Sequence, residues 1–599
     1  MIRRILPLVG LSIFCTQFTF SQTKNESVAT TWLTNHFKEL QTQRSASVLK
    51  HETNTSGASG ETFRYGQYVN NVPVYGVNLS VHLSPDSEVT FHSGTYKKNV
   101  SAINTTPNIN EKEAVSLAAK ALNIEGTITQ MDSKLYVYKD EESTRLVYRI
   151  TTNSKTLNGY WETLVDAKTS EIISTKDIAH YHHASGDNNE KDKEVEAQGM
   201  IFNPDPLSAS GNEYGGLYMD NNDETNDALN NARSQVTFTI ANSENGVYKL
   251  KGKYSEIKEI QNPETGLFEQ TSPVFNFSRD EDGFEAVNVY YHIDRNMRYI
   301  NETLGIPLQS MFNNGIILFD PHAFNGADNS SYGGGILKFG TGGVDDGEDA
   351  DVIVHELGHG IHEWLIQSSI SQKEGLSEGF GDYWAQSYSR GLQKNNSSRS
   401  SKSYNNLFKW DGHNEFWSGR VTNYEAVYPE GLTGKVHKDG QIFATALMKI
   451  WEVLGKETTD KMVLEGLSMT TSETNQAEAA LAIRQAGIDM GLGCNDITTV
   501  TDIFNATGYN LPEQQCARLE VADLEVSRLI IYPNPASETI AFKNLSDDQE
   551  IAIYNVMGQV VLRKNINASN NTINVSNLSK GMYLVGFKGV SNVMKFIKQ

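Results

Sequence analysis

"DADVIVHELGHGIHEWL", residues 349–365, is the stretch on which the reading of this chain turns. His355 and His359 stand four residues apart. On an α-helix that spacing puts both imidazoles on one face, one turn apart, where both can reach a single zinc ion. Glu356 lies beside that face, where a carboxylate can act as general base toward water. A bland reading competes: with 14 histidines in 599 residues, a chance match is on the order of one or two per hundred chains. Two histidines do not make a catalytic metal centre, so the question becomes where a third ligand lies.

One arrangement, the metzincin one, needs glycine at 362 and histidine at 365. The chain has His362 and Leu365 there, so it fails. His362 shares the helix face of His359, but three ligands from one short helix give poor tetrahedral geometry, and His362 reads as structural or supporting. The other arrangement is a glutamate on a following helix. "EGLSEGFGDYWAQSYS" (374–389) supplies Glu378, 23 residues after His355, room for a helix, a turn and an antiparallel helix. Two histidines and one glutamate leave a fourth tetrahedral position open, which a catalytic zinc requires and a structural one does not. Asp382, four residues on, faces the same way and is placed to accept the free N–H of a ligating histidine.

"HELGH" with "LSEGFGDYW" resembles the thermolysin-like gluzincin peptidases, the fungalysin family most closely. The resemblance implies a catalytic unit over 197–520: a β-rich lobe (197–350), a mostly α-helical lobe (351–520), and zinc in the cleft. It implies His355, His359 and Glu378 as zinc ligands, Glu356 as general base, and Asp382 behind the ligands. "GKVHKDGQIFATALMKIW" (434–451) is similar to the element whose histidine stabilises the oxyanion, here His437; Glu430 and Asp439 are both candidates for the acid that orients it. "HAFNGADNSSYGGG" (322–335) resembles the edge strand that pairs with substrate backbone, with Ala323-Phe324-Asn325 as the match,. Arg420 is read either as a holder of a substrate carbonyl or as an ordinary salt bridge. Two departures stand out. Ser369 occupies the position of thermolysin's catalytic tyrosine, and the acids of its double calcium site have no clear counterpart after Tyr388. Asp351 is read as a calcium ligand or as a solvated acid at a helix N-terminus, so calcium stays open beside one zinc.

The flanks fit an exported precursor. Arg3 and Arg4 precede an apolar run from Ile5 to Phe14, too short to span a bilayer, with Thr19-Phe20-Ser21 as a cleavage site; residues 1–22 read as a signal peptide,. A formal net charge of -22 argues against nucleic acid and anionic membrane as partners,. Cys15 would leave with the signal, so Cys494 and Cys516 remain as an even pair and a disulfide candidate,. "ETFRYGQYVNNVPVYGVNLSVHL" (61–83) alternates in two runs around Asn70-Asn71, a hairpin pattern,. A helical stretch (111–124) and antiparallel strand patterns follow to about 174. These segments resemble the fungalysin/thermolysin propeptide motif (50–100) and a PepSY module (108–178), together an α+β propeptide over 23–195. It is implied to chaperone the fold and cover the cleft; a permanent substrate-binding domain is the competing reading. "ASGDNNEKDKEVE" (184–196) reads as a cleavable linker,. "FNPDPL" (202–207) resembles the start of mature bacterial fungalysin-like peptidases. Helical patterns then run from the 349–365 stretch to about 505.

Residues 527–599 read as short alternating strands forming an all-β sandwich. "YPNPASETI" (532–540), "IYNVMGQVV" (553–561) and "LSKGMYLVGF" (578–587) resemble the type IX secretion sorting domain of Bacteroidetes. The multidomain chain is therefore expected to be a secreted, zinc-dependent endopeptidase zymogen without a transmembrane helix. Its expected partners are protein substrates, its own propeptide and the type IX machinery. Competing readings are an inactive peptidase-like adhesion protein, which should have lost at least one of the six site residues, and an aminopeptidase, which needs an amine-binding acid that no motif supplies.

Overall fold

The computed structural model describes residues 23–37, 46–124, 128–155, 157, 159–178, 194–392, 403–513, 530–543, 545, 548–555, 559–587 and 593–599. The signal stretch 1–22, the first ten residues of the expected linker (184–193) and Cys516 lie outside them. Two compact units divide the chain, Met1–Pro512 and Glu513–Gln599.

The first unit opens with helix α1 (Lys24–His36), capped by the Thr23 side chain on the Glu26 amide. Strands β1 (Val48–Gly57), β2 (Gly60–Val69), β3 (Val72–Pro73), β4 (Asn78–Leu83) and β5 (Val89–Thr95) make an antiparallel sheet ordered β1-β2-β4-β5, with β3 on β2. The β2–β3 turn is Asn70-Asn71, both at positive φ (46° and 68°), the left-handed conformation that asparagine tolerates best after glycine,. One face of β2 and β4 buries Phe63, Tyr65, Leu79 and Val81 with Ala29 and Leu33 of α1. Helix α2 (Glu111–Ala121), closed by an Asn110–Glu113 capping box, packs on a second antiparallel sheet: β6 (Ile128–Lys139), β7 (Thr144–Ser154), β8 (Trp161–Asp166) and β9 (Ile172–Asp177),.

Glu194 to Glu196, expected as linker, already belong to strand β10 (Glu194–Ile201). Short helices α3 (Pro206–Ser210) and α4 (Asp227–Ala232) and strands β11 (Ser234–Ala241), β12 (Ser255–Ile257) and β13 (Val274–Phe275) follow. Then come helix α5 (Gly283–Arg298) and strands β14 (Ile317–Asp320), β15 (Ser331–Gly333) and β16 (Ile336–Lys338). Strands β12, β14, β16 and β15 form one sheet in that order, with β15 antiparallel at its edge.

Helices α6 (Ala350–Ile366) and α7 (Leu376–Leu392) come next. The helical run expected to about 505 is then broken: residues 403–435 hold only the short pair β17 (Asn406–Leu407) and β18 (Arg420–Val421). Helices α8 (Val436–Leu454), α9 (Lys456–Ser468), α10 (Gln476–Asp489) and α11 (Cys494–Ala506) complete the unit. Every residue of α6 is buried, and its apolar positions join one core with α5, α7, α8 and α9. No helix among the described residues is long and apolar enough to cross a membrane.

The second unit has two antiparallel sheets. One holds β19 (Ile530–Tyr532), β20 (Thr539–Lys543) and β23 (Thr572–Asn574). The other holds β21 (Gln549–Tyr554), β22 (Val560–Ile566), β24 (Gly581–Phe587) and β25 (Val593–Lys598). Ile540, Phe542, Ile551, Ile573, Val585 and Phe596, drawn from both sheets, share one buried core.

Candidate metal centre

Glycine decides how closely the site-bearing helices approach. A Cβ on Gly358 of α6 would lie 2.9 Å from the Gly381 Cα of α7, and one on Gly379 of α7 would lie 2.4 Å from the Gly440 carbonyl oxygen of α8. Both crossings exist because these positions carry no side chain. They bring His355, Glu356 and His359 of α6, Glu378 and Asp382 of α7 and His437 of α8 to one place.

Ligand atoms of His355, Glu356 and His359 all lie within 4.8 Å of one another. Glu378 faces both imidazoles: Oε2 is 3.4 Å from His355 Nε2 and Oε1 is 3.7 Å from His359 Nε2. A tetrahedral zinc with bonds of about 2.0–2.1 Å has ligand–ligand edges of roughly 3.3–3.4 Å; the His355 separation matches that edge and the His359 separation is longer, and two imidazoles with one carboxylate are a donor set that suits the ion. The other ring nitrogens point away to supporting groups. His355 Nδ1 is 3.0 Å from Asp382 Oδ1, and His359 Nδ1 is 2.9 Å from Ser377 Oγ. Arg420 Nε donates to the same Asp382 oxygen at 2.9 Å while its guanidinium stacks over Phe408. Of the two readings of Arg420, the structure displays the salt bridge.

The pocket favours positive charge. Burial and Arg420 push the His355 imidazole down, yet hydrogen bonding to Asp382 and Glu378 outweighs them and lifts it to about 9. Burial raises the Glu378 carboxyl, but His359, His355 and His437 hold it well below the usual carboxylate range. Burial lifts Glu356 above its ordinary value, partly offset by His355. Ser330 Oγ, just ahead of β15, donates to Glu356 Oε1 at 3.2 Å. His437 Nε2 is 3.4 Å from Glu378 Oε2, with its side chain 63% exposed.

Several sequence expectations change. Ala323, Phe324 and Asn325 are no edge strand: Phe324 and Asn325 sit at φ 57° and 55° in a tight turn. The amides of Ala323 and Asn325 are spent on the Phe339 and Asn262 carbonyls. The edge is β15. Asp351 is not solvated but buried, its carboxylate accepting from Ser389 Oγ and the Phe408 amide. Asp439 accepts from the Thr433 and Gly434 amides, so it secures the loop ahead of α8, and Glu430 is exposed. His362 is fully buried against Phe380, and burial pulls its pKa down to about 3, which keeps it neutral. Ser369 is exposed in the α6–α7 connection. Cys494 is disulfide-bonded. Ser377 and Ser330 were missed by the sequence reading; the one signal was that Ser377 adjoins Glu378. A second group, Asp328, Asp346 and Asp411, has carboxylate oxygens within 4.8 Å of one another and is the other place among the described residues where a cation fits by distance.

Residues 218–363 match the thermolysin metallopeptidase catalytic domain. That segment of the chain is similar to the thermolysin catalytic domain. Residues 52–96 match the fungalysin/thermolysin propeptide motif, and residues 530–599 a secretion system C-terminal sorting domain. Bacillolysin of Brevibacillus brevis is 23% identical over 177 residues, 27% of this chain and 33% of its own length. Neutral protease B of Bacillus subtilis (strain 168) is 25% identical over 130 residues, 21% of this chain and 24% of its own. The chain thus spans a third or less of the curated relatives it matches. Among solved structures, the precursor of protealysin, a metalloproteinase from Serratia proteamaculans, shares 15% identity over 38% of this chain and 78% of that one, at a TM-score of 0.29. The thermolysin-like match ends before Glu378, Asp382 and His437, so their place in the site rests on geometry.

Proposed function

We propose that the chain is a secreted zinc endopeptidase made as a zymogen. It would have a two-lobed catalytic unit with the metal in the cleft, a propeptide over 23–195 and a sandwich-shaped sorting domain over 527–599. The observation that carries this reading is the convergence of His355, His359 and Glu378, whose oxygens lie 3.4 Å and 3.7 Å from the two Nε2 atoms, with Glu356 alongside. Zinc, when bound by His355, His359 and Glu378, supplies Lewis-acid polarisation of the scissile carbonyl and acidifies water. Glu356 takes the proton of the attacking water and passes it to the leaving amine; its burial-raised pKa suits both halves of that transfer,. His437 donates to the developing oxyanion. Asp382 and Ser377 fix the ring orientations of the two histidines. An extended substrate adds to the sheet edge at β15, where main-chain hydrogen bonds accept many sequences. The sorting domain directs the chain to the extracellular space or cell surface, and the peptide-bond substrates are extracellular proteins.

The test is metal content and casein cleavage on one purified sample, with and without a zinc chelator, beside Glu356→Gln. We expect about one zinc per chain, the single ion of a catalytic site, chelator-sensitive cleavage, and loss of cleavage in Glu356→Gln with zinc retained. Substantial turnover by the zinc-loaded variant would sink the role of Glu356. Zinc without cleavage after removal of residues 1 to 195 would favour the inactive binding protein.

A further inference from the structure

The two faces of β2 and β4 do different work. Phe63, Tyr65, Leu79 and Val81 form the apolar core with α1. The alternate residues Thr62, Arg64, Ser80 and His82 are polar, yet each is about 1% exposed. What meets Arg64, Ser80 and His82 is the C-terminal ends of α6, α9 and α10. Arg64 Nη2 donates to the Leu365 carbonyl at 3.1 Å and the Ser468 carbonyl at 2.5 Å, and Nη1 to the Thr470 carbonyl at 2.9 Å. Leu365 lies in the last turn of α6, the helix that carries His355, Glu356 and His359, and Ser468 is the last residue of α9. The final four carbonyls of any helix lack an intrahelical donor, and that end is where a cation is electrostatically favoured. One guanidinium therefore closes the ends of the site-bearing helix α6 and of α9 at once. The contact is reciprocal: Glu465 of α9 accepts from the amides of Ala58 and Ser59 and from Ser59 Oγ, in the turn between β1 and β2. Gly57 permits that approach, since a Cβ there would sit 2.3 Å from Glu465 Oε2. Ser80 Oγ adds a bond to the Met469 carbonyl at 2.6 Å.

We propose that Arg64 is a positioning residue for the metal centre: it caps α6 and α9 together while the chain folds and so sets the helix that presents His355, Glu356 and His359. The proposal rests on the reading of that helix as the zinc-bearing one. It assigns a step in building the site to a side chain that the cleaved enzyme would no longer contain.

The test uses the full chain carrying Glu356→Gln, so that it stays uncut, unfolded in denaturant and refolded with zinc. The readouts are zinc per refolded chain and, after cobalt substitution, the visible absorption of the centre. Arg64→Ala is compared with Arg64→Lys and with the double change Arg149→Met/Glu162→Gln, which removes a buried propeptide ion pair between β7 and β8. Arg64→Ala is expected to lower the recovery of metal-loaded chain by about tenfold, the scale of leaving one buried hydrogen-bonding group without its partner. Arg64→Lys should restore part of it, since an ammonium still reaches helix-end carbonyls, and the double change should leave recovery and the cobalt spectrum unaltered. Recovery of Arg64→Ala equal to the parent overturns the proposal. An equal loss in the double variant also overturns it, since general propeptide stability would then be the cause. A parent that refolds but binds no metal overturns the zinc reading itself, and is told apart because Arg64 is intact in it.

Discussion

At the residue scale, the site depends on side chains that touch the histidines as much as on the histidines. Ser377 and Asp382 each hold the Nδ1 of one imidazole. Replacing either by alanine should weaken zinc binding by roughly 10–100-fold, the usual cost of losing such a partner. Competition against a chelator of known affinity measures it; unchanged affinity in both variants would mean the rings are held by helix packing alone. The spacing from His355 to Glu378 was legible because helical periodicity ties sequence distance to direction. Ser330 was not, because its contact with Glu356 depends on where β15 lies against α6. Ala323 to Asn325 were expected at an edge strand from family resemblance alone, and the positive φ at Phe324 and Asn325 turns the chain there instead.

At the element scale, the propeptide sheet and α9–α10 meet through groups that titrate. Burial pulls the His82 imidazole down to about 4. It faces Thr62 Oγ1 at 2.8 Å, the Ser59 carbonyl at 3.1 Å, Asp489 Oδ2 at 3.6 Å and the charge of Glu465. A folded pKa below the unfolded one gives stability that is full above the unfolded value, about 6.5, and lost as pH falls toward 4,. Asp489, raised by burial, works in the opposite sense and reduces the net loss. After the linker is cut, the propeptide should therefore dissociate progressively as pH drops from 6.5 to 4, and His82→Gln should flatten that dependence. Gel filtration across the range decides it; a parent profile independent of pH would exclude His82 as the cause. Nothing in the alternation of "ETFRYGQY" showed that its polar face is buried as deeply as its apolar one. Period-two patterning marks two faces and leaves open what covers the second.

At the scale of the whole molecule, each unit has its own apolar core. A chain ending at residue 520, which keeps Cys516 for Cys494, should keep its zinc content and its thermal transition, while the full chain should add a separate transition from its C-terminal sheets,. Scanning calorimetry of both chains is the measurement. Loss of the main transition on removing the tail would show that the units depend on each other for stability.

The sequence by itself determined the His-Glu-x-x-His face of α6, the candidacy of Glu378 and Asp382 on the next helix, the hairpin of the propeptide motif and the strand-rich tail. These follow from local rules, helical and strand periodicity and turn preference, which act over a few residues. Only the tertiary structure decided what sits behind the imidazoles of His355 and His359, that β15 ends its sheet, and that Arg64 closes the ends of α6 and α9. Those contacts join residues 18 (Ser377–His359) to 406 (Arg64–Thr470) positions apart, and they exist because glycine crossings and apolar packing bring whole elements together. No local pattern encodes them.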